Sequence, residues 1–275
     1  MNCIQDKLDL QHASGRALVM GIVNVTPDSF STANTPEQAV DEALKMLDDG
    51  ADILDIGGES TRPGAAEITP EVEISRVIPV LRKIKKLRPD SCISIDTRKS
   101  SCAHIALDNG ADIINDVSGL TYSPDMAEII AGYDAYCIIM HSLAKGKADA
   151  EASYNNMIQE ITDFLNQQLN YAVSCGVTRN KIIIDPGIGF SKNTEENFTI
   201  LQNIPQFSKI APVLTGHSRK KFLRDFTGLK TPQEADHITA LVAVLAEEMQ
   251  TAIVRVHNVR ETVDFLNIAR KIRRF

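Results

Sequence analysis

The sequence predicts an α/β protein built as a single (β/α)8 TIM barrel, with its active site at the carboxyl ends of the strands. Short apolar runs rich in β-branched residues alternate with longer segments of helical period, as in parallel strands joined by crossover helices. Eight such units in about 250 residues fit a barrel better than an open doubly wound sheet. No Pro/Gly/Ser-rich linker or shift in composition divides the chain, so we expect one domain over residues 1–275.

The predicted strands are short apolar runs that end in polar or turn-forming residues. Two of them begin in nearly the same way. GADILD (50–55) and GADIIN (110–115) each pass from a helix-ending glycine into a strand. The eight predicted strands lie at 17–25, 51–57, 92–96, 111–116, 135–141, 181–187, 212–216 and 252–258.

The segments between the strands carry signals for the start and the end of helices. In TPEQAVDEALKMLDDG, Thr35 is a predicted N-cap, Pro36 lies in the first turn and Gly50 ends the helix. DHITALVAVLAEEM (236–249) and RETVDFLNIARKIRRF (260–275) have the helical period as well. These segments are predicted crossover helices.

Composition and charge exclude several classes of protein. With 43% hydrophobic residues the chain can bury a full core, and its net charge of -7 argues against general binding of nucleic acids or anionic membranes. Residues 1–16 lack a secretory signal pattern, and no apolar run approaches the roughly 20 residues of a membrane span. The five cysteines form no CxxC pair, which disfavours a disulfide framework or a thiolate metal cluster. We therefore expect a cytoplasmic protein.

Polar side chains end nearly every predicted strand. The stretch GIVNVTPDSFS (21–31), for example, changes from apolar to polar at Asn24. Because the carboxyl ends of barrel strands face one mouth, these side chains are expected to converge. Short carboxylate and amide groups suit the edge of a flat heterocycle, where N–H donors lie beside carbonyl acceptors. The strand-end set comprises Asn24, Asp55, Asp96, Asn115, His141, Asp185, Arg255 and His257.

Cationic side chains follow several of the same strands. Arg forks suit the oxygens of phosphate and carboxylate groups. The sequence therefore predicts a pocket that holds a polar ring at depth and anionic groups near the mouth. The cationic set comprises Arg62, Arg219, Lys220, Arg255 and His257.

Seven motifs occur in order between Leu18 and Val259, and together they resemble the dihydropteroate synthase family. They are MGIVNVTPDSFS, DIGGESTRPGA, SIDT, NDVSG, DPGIGFSK, SRKKF and RVHNV. Corrinoid-dependent methyltransferases of the same barrel group share the pterin pocket. The NVTPDSFS and GESTRPGA loops, together with SRK, favour the synthase.

The resemblance implies a transferase reaction. In that reaction 6-hydroxymethyl-7,8-dihydropterin pyrophosphate and p-aminobenzoate give 7,8-dihydropteroate and pyrophosphate. It also implies that the pterin pyrophosphate enters first, that Mg²⁺ accompanies the pyrophosphate, and that the enzyme is a homodimer. A reaction in which pyrophosphate leaves before the amine attacks needs stabilisation of the leaving group and positioning rather than a strong base.

The resemblance also implies roles for individual residues. Catalytic roles fall on Asp28, Arg62 and Lys220. The pterin ring is assigned to Asp96, Asn115, Asp185 and Lys220. Pyrophosphate is assigned to Asn24, Arg62, Arg255 and His257, with Asn24 also holding Mg²⁺. p-Aminobenzoate is assigned to Thr61, Pro63, Phe190, Ser218 and Arg219. Four of these side chains have a second interpretation, since Asn24 can be a turn residue, Asp185 can be an N-cap or turn residue before Pro186, Phe190 can be a core residue and Arg219 can brace its own loop.

The chain departs from the family pattern at three places. The first loop, SFSTANTPEQ (29–38), lacks the Asp-Gly-Gly-like stretch that commonly follows SFS. Ser191 stands where the family often has Gly, and Asn258 where it often has Asp. The change at Asn258 is predicted to alter the tautomer or charge of His257.

Three other functions are weighed against the synthase. A corrinoid-dependent methyltransferase would need no pyrophosphate site, so Arg255 and His257 argue against it. A non-catalytic pterin-binding paralogue would have lost loop residues such as Asp28 and Arg62, which are present. A sugar-phosphate barrel enzyme would carry a late Gly-rich phosphate loop and a catalytic lysine within a strand, and the sequence has neither.

Overall fold

The computed structural model describes residues 3–26, 35–60, 65–143 and 153–273, apart from the side chains of residues 3, 10 and 12. Its eight strands are all parallel and run in the order β6-β5-β4-β3-β2-β1-β8-β7. A parallel bridge between Ile184 and Val213 joins the two ends of this sheet. The predicted (β/α)8 barrel is therefore confirmed. The strands are β1 Leu18–Asn24, β2 Ile53–Gly57, β3 Ile93–Asp96, β4 Ile113–Asp116, β5 Tyr136–Met140, β6 Ile182–Asp185, β7 Leu214–Thr215 and β8 Ile253–Val256.

Helices surround the barrel and connect successive strands. Short 3-10 turns precede β6 and α10. The helices are α1 Cys3–Ser14, α2 Pro36–Asp48, α3 Pro70–Leu87, α4 Ser100–Asp108, α5 Met126–Gly132, α6 Met157–Ser174, α7 Thr194–Gln202, α8 Ile204–Phe207, α9 Lys221–Thr227, α10 Asp236–Glu248 and α11 Val259–Arg273. No helix in the described ranges is both long and apolar enough for a membrane span.

The predicted signals for helix start and end act as expected. Thr35 caps α2 in a capping box with Gln38, and Pro36 occupies the first helical position. Gly50 and Gly110 have φ angles of 100° and 89°, a region that favours glycine. Both residues therefore turn the chain from a helix into the next strand, as the near-repeat predicts.

The observed strands are shorter than the predicted runs by one or two residues at their ends. The run at 252–258 shows why the difference arises. β8 ends at Val256, and the side-chain oxygen of Asn258 then accepts the N–H of Glu261 at the start of α11. A polar residue next to an apolar run can thus belong to the cap of the following helix, so it forms no strand pairing and the strand ends before it.

Two apolar layers hold the fold together. One lies between the strands and the surrounding helices. The other fills the lower half of the barrel interior, where Met20, Ile53 and Ile183 are fully buried. Helix α1 closes the amino-terminal end of the barrel, with Ile4 and Leu8 inside this second layer. The upper half of the interior is consequently the part open to a ligand.

Candidate functional site

Four neighbouring strands carry one row of residues at the upper end of the barrel. Asn24 of β1 is in register with Gly57 of β2, Gly57 with Asp96 of β3, and Asp96 with Asn115 of β4. Residues in register on parallel strands point the same way. The predicted strand-end positions of Asn24, Asp96 and Asn115 are therefore confirmed, whereas Asp55 lies two residues before the end of β2 and so deeper in the barrel.

Arg255 ties this row to a deeper carboxylate. Its Nε donates to Asp55 Oδ2 at 2.6 Å and its Nη2 donates to Asp96 Oδ2 at 2.7 Å. Asn115 Nδ2 donates to the same Asp55 oxygen at 3.2 Å. Burial raises the pKa of Asp96 to about 7 and the Asp55 carboxylate adds to the rise, although Arg255 opposes it. The contacts use two of the five N–H donors of the Arg255 guanidinium.

Asp185 and Lys220 lie on the other side of the pocket. Asp185 Oδ1 accepts the N–H of Gly187 at 2.7 Å. Burial raises the pKa of Asp185 to about 6, and burial together with the Arg255 charge lowers the pKa of Lys220 to about 8. Each side chain therefore carries its charge at a cost that a bound ligand can reduce. Such perturbed groups within one pocket are typical of functional sites.

An apolar wall completes the pocket. Val117, Met140 and Phe190 form a small buried cluster separate from the two main layers. The Lys220 ammonium lies 4.4 Å from the centre of the Phe190 ring. Carboxylates, an amide and an ammonium around an apolar wall can hold a flat ring with polar edges. Phe190 is thus both buried and part of the pocket.

Ser218 and His257 contact one another near the mouth. The Ser218 hydroxyl accepts the backbone N–H of His257 at 3.1 Å and lies 3.0 Å from its Nδ1. Arg219 instead pairs with Asp236 through its Nε and Nη2 at 2.7 and 2.9 Å. The alternative that Arg219 braces its loop therefore describes its contacts in the structure.

The side-chain amide of Asn258 contacts two carboxylates, whereas the sequence predicted an effect on the adjacent His257. Its Nδ2 donates to Asp236 at 3.2 Å and to Glu261 at 3.0 Å. An aspartate at this position would place a third carboxylate beside those two, so the amide removes a repulsion. The predicted effect of Asn258 on His257 stays a prediction, because these bonds lead away from the imidazole.

Four predicted site residues, Asp28, Thr61, Arg62 and Pro63, lie outside the described residues. No group of three or more His, Cys, Asp or Glu side chains within the described ranges is arranged to hold a metal ion. Asn24 is half-buried at the end of β1, and its side-chain amide oxygen is one potential metal ligand.

Sequence reasoning missed the roles of two residues in this region. It placed Asp55 at a strand end but gave it no partner, and here the carboxylate binds Arg255, 200 residues away. The DPGIGFSK motif contains Lys192, to which the sequence assigns no role, although its ammonium contacts two carbonyl oxygens of the turn after β6. The motif could have indicated a role for Lys192, whereas the pairing of Asp55 with Arg255 can be recognised only when the fold is known.

The fold and these side chains define a class of protein, a (β/α)8 barrel with buried polar groups at the carboxyl ends of its strands. Residues 20–257 match the family described as pterin binding enzyme. The chain belongs to this family and, within it, to the dihydropteroate synthases.

Comparison with individual proteins supports the same family. The dihydropteroate synthase of Streptococcus pyogenes serotype M6 is 40% identical over 92% of this chain and 95% of its own length. The Xanthomonas albilineans dihydropteroate synthase with 4-aminobenzoic acid is similar in structure, with a TM-score of 0.89 and 36% identity over 94% of both chains. The same enzyme in complex with 7,8-dihydropteroate gives a TM-score of 0.85 and 34% identity, over 94% of this chain and 95% of that one.

Proposed function

We infer that this chain condenses 6-hydroxymethyl-7,8-dihydropterin pyrophosphate with p-aminobenzoate, giving 7,8-dihydropteroate and pyrophosphate. One observation carries this function: Asp55, Asp96 and Asn115 meet Arg255 at the carboxyl ends of the strands of a chain whose relatives are named dihydropteroate synthase. A structural neighbour binds 4-aminobenzoic acid, and the same enzyme binds 7,8-dihydropteroate. The relatives give no support to a corrinoid-dependent methyltransferase or a sugar-phosphate enzyme.

The pterin ring is proposed to bind between Asp185 and Lys220, with Asp96 and Asn115 along its remaining edge. Ionised carboxylates accept N–H groups, and the ammonium donates to ring acceptors. Because burial disfavours the ionised form of Asp185 in the empty site, donors on the ring would stabilise that form. Binding then satisfies three groups whose pKa values burial has shifted, Asp96, Asp185 and Lys220.

Catalysis is proposed to rest on the departure of pyrophosphate. The exocyclic C–O bond breaks, the pterin ring delocalises the positive charge, and the amine nitrogen of p-aminobenzoate forms the new C–N bond before it loses a proton. Lys220, Arg255 and His257 are proposed to stabilise the leaving group, since Arg255 has N–H donors beyond those bound to Asp55 and Asp96. Asp28 and Arg62 are proposed to assist at the same step.

Mg²⁺ is proposed to bind together with the pyrophosphate. This ion usually takes few protein ligands and completes its octahedron with water and substrate phosphate oxygens. The amide oxygen of Asn24 fits that pattern, since it lies on the same row as Asp96 at the mouth. When bound, the ion would neutralise charge on the leaving group.

The second substrate is proposed to lie on the mouth side of the pterin. Phe190 offers an apolar face, and the Ser218 hydroxyl lies beside His257, where the anionic product would leave. Thr61 and Pro63 are proposed to complete this wall. Arg219 is proposed to contribute to the p-aminobenzoate site, while its bidentate contact with Asp236 fixes the loop that carries Ser218.

We also propose a homodimer formed by the last two long helices. Leu241 and Leu245 of α10 and Ile268 and Ile272 of α11 are between 46% and 67% exposed. Each pair is spaced i, i+4, so each lies on one face of its helix. A second copy would cover these faces. Sedimentation should give a dimer for the wild type and a monomer for Leu245→Lys combined with Ile268→Lys, and a monomeric wild type would contradict the proposal.

The cytoplasm is proposed as the compartment. Cys102, Cys137 and Cys175 are free thiols in the described ranges. Free thiols of this kind are in keeping with a reducing compartment. Small-molecule substrates, without nucleic acid or membrane, are the proposed partners.

The proposed function has a direct test in pyrophosphate release. Purified protein with Mg²⁺ should release pyrophosphate at a rate that depends on both the dihydropterin pyrophosphate and p-aminobenzoate. Asp185→Asn should lower the rate because it replaces one acceptor oxygen by a donor. Release that is independent of p-aminobenzoate, or no release at all, would contradict the function.

A further inference from the structure

The turn that follows β6 has an unusual backbone. Gly187, Gly189 and Ser191 all have positive φ angles, of 75°, 77° and 53°. A Cβ at Gly187 would lie 2.0 Å from the carbonyl oxygen of His141, so the turn packs directly against the chain after β5. Such a turn is maintained only when its surroundings determine it.

Lys192 fills the inside of this turn. Its ammonium donates to the carbonyl oxygens of Gly187 and Phe190, both at 3.0 Å, and lies 3.2 Å from His141 Nδ1. Burial lowers the pKa of Lys192 to about 7, and in the protonated form its three donors are all used by these three contacts. Burial lowers the pKa of His141 to about 3, which keeps the imidazole neutral and able to accept.

The same turn carries two groups of the pocket. The N–H of Gly187 binds Asp185 Oδ1 at 2.7 Å, while its carbonyl oxygen binds Lys192. Phe190 likewise binds Lys192 through its carbonyl oxygen and places its ring in the pocket wall beside Lys220. Lys192 is therefore joined to both pocket groups through a single peptide segment.

We propose that Lys192 is a positioning residue for the pterin ring, which acts through the Gly187–Phe190 turn on Asp185 and Phe190. This role rests on the proposed function, because it concerns the same pocket. Loss of the ammonium would leave the Phe190 carbonyl oxygen without its Lys192 donor and the Gly187 carbonyl oxygen with only the Phe190 N–H, and would loosen the turn. The Asp185 carboxylate would then lose the fixed orientation that the Gly187 N–H provides, and pterin affinity would fall.

Lys181 provides a matched control at the other end of β6. Its ammonium donates to the carbonyl oxygen of Asp134 at 2.6 Å, pairs with the Asp134 carboxylate at 2.7 Å and lies 5.7 Å from the centre of the Tyr136 ring. Lys181→Met thus removes an ammonium with comparable contacts from the amino-terminal end of the same strand. It should leave pterin affinity within twofold of the wild type.

The test is calorimetric titration of dihydropterin pyrophosphate into the full chain. Lys192→Met should weaken binding at least tenfold, and Lys192→Arg, which keeps the charge and the donors, should bind more tightly than Lys192→Met. If Lys192→Met shows no cooperative thermal transition, Lys192→Arg carries the test and should be three- to tenfold weaker than the wild type. Wild-type affinity in the variants that fold would overturn the proposal.

A double-mutant cycle tests whether Lys192 acts through Asp185. In the Asp185→Asn background, Lys192→Met should lower pterin affinity by a clearly smaller factor than in the wild type, because the part of its effect that passes through the carboxylate is already lost. Losses that multiply independently would overturn this route. If the wild type itself fails to bind the pterin, the proposed function fails, whereas binding that Lys192→Met leaves intact defeats only the role of Lys192.

Discussion

The lower and upper halves of the barrel interior differ sharply, although the same strands form both. Ile53, Ile113 and Ile183 are fully buried in the lower apolar layer. Two residues further along the same strands, the same face carries Asp55, Asn115 and Asp185. Side chains two residues apart on a strand point to the same face. One such step therefore separates the apolar side chains that pack the lower half from the polar side chains of the candidate site.

The comparison shows how the barrel combines stability with binding. Apolar side chains in the lower half gain free energy when they leave water. Buried charges in the upper half lose hydration, as the raised pKa of Asp185 and the lowered pKa of Lys220 indicate. We therefore expect substitutions below to change stability, and substitutions above to change ligand binding.

Arg255 lies in the upper half, but we expect its substitution to change stability, and by more than any other substitution proposed here. Arg255→Met leaves the carboxylates of Asp55 and Asp96 buried without their partner, which we expect to cost about 3–5 kcal/mol of unfolding free energy. The exposed pair Arg88–Asp48 is the control, and Arg88→Met should cost less than about 1 kcal/mol. Urea unfolding measures both. If Arg255→Met loses no more unfolding free energy than Arg88→Met, the buried cluster adds no more to the stability of the fold than an exposed ion pair does.

A conservative change in the lower half should sharpen the comparison. Ile183→Val removes one methylene from a fully buried side chain and should lower the unfolding free energy by about 1 kcal/mol. Because the pocket lies above this layer, the KM for either substrate should stay within twofold of the wild type. A larger shift in KM at unchanged stability would mean that the two halves are coupled.

Ser191 gives the smallest expected effect. Its φ angle of 53° lies in the left-handed region, which costs a residue with a Cβ about 1–2 kcal/mol. Ser191→Gly relieves that strain but adds backbone entropy to the unfolded chain, so a net gain of about 0.5 kcal/mol is expected. A thermal melt checks the sign. A loss of stability would mean that the serine side chain has a favourable contact.

Much of this arrangement could be predicted from the sequence, because it follows from local patterns. Alternation of apolar runs with helical segments predicted the barrel, and the polar residues at the ends of most strands predicted the polar upper half of the interior. The helix cap at Thr35 and the turn at Gly50 were also readable, since each depends on residues close in sequence.

Other features could not be predicted, because they depend on contacts between distant segments. Asp55 and Asp96 reach Arg255 across 200 and 159 residues, and a sequence pattern does not choose among the many Arg and Asp side chains. Helix α1 was missed because, among its described side chains, the buried apolar ones are Ile4 and Leu8, which are too few to show a helical period.

The central claim, that the upper interior is built for a ligand at a cost to the fold, is tested most directly at Asp185. Its folded-state pKa of about 6 lies above the ordinary value of 3.8, so its contribution to stability is lost as the pH rises between those values. Asparagine does not titrate. The unfolding free energy of Asp185→Asn relative to wild type should therefore rise between pH 4 and pH 7.5, by up to about 3 kcal/mol.

Urea unfolding of the two proteins at both pH values gives this difference. The account predicts that Asp185→Asn is at least as stable as the wild type at pH 7.5, while it binds the dihydropterin pyrophosphate far more weakly. A variant that is less stable than the wild type at pH 7.5, with pterin affinity unchanged, would show that Asp185 serves the fold and would contradict the claim.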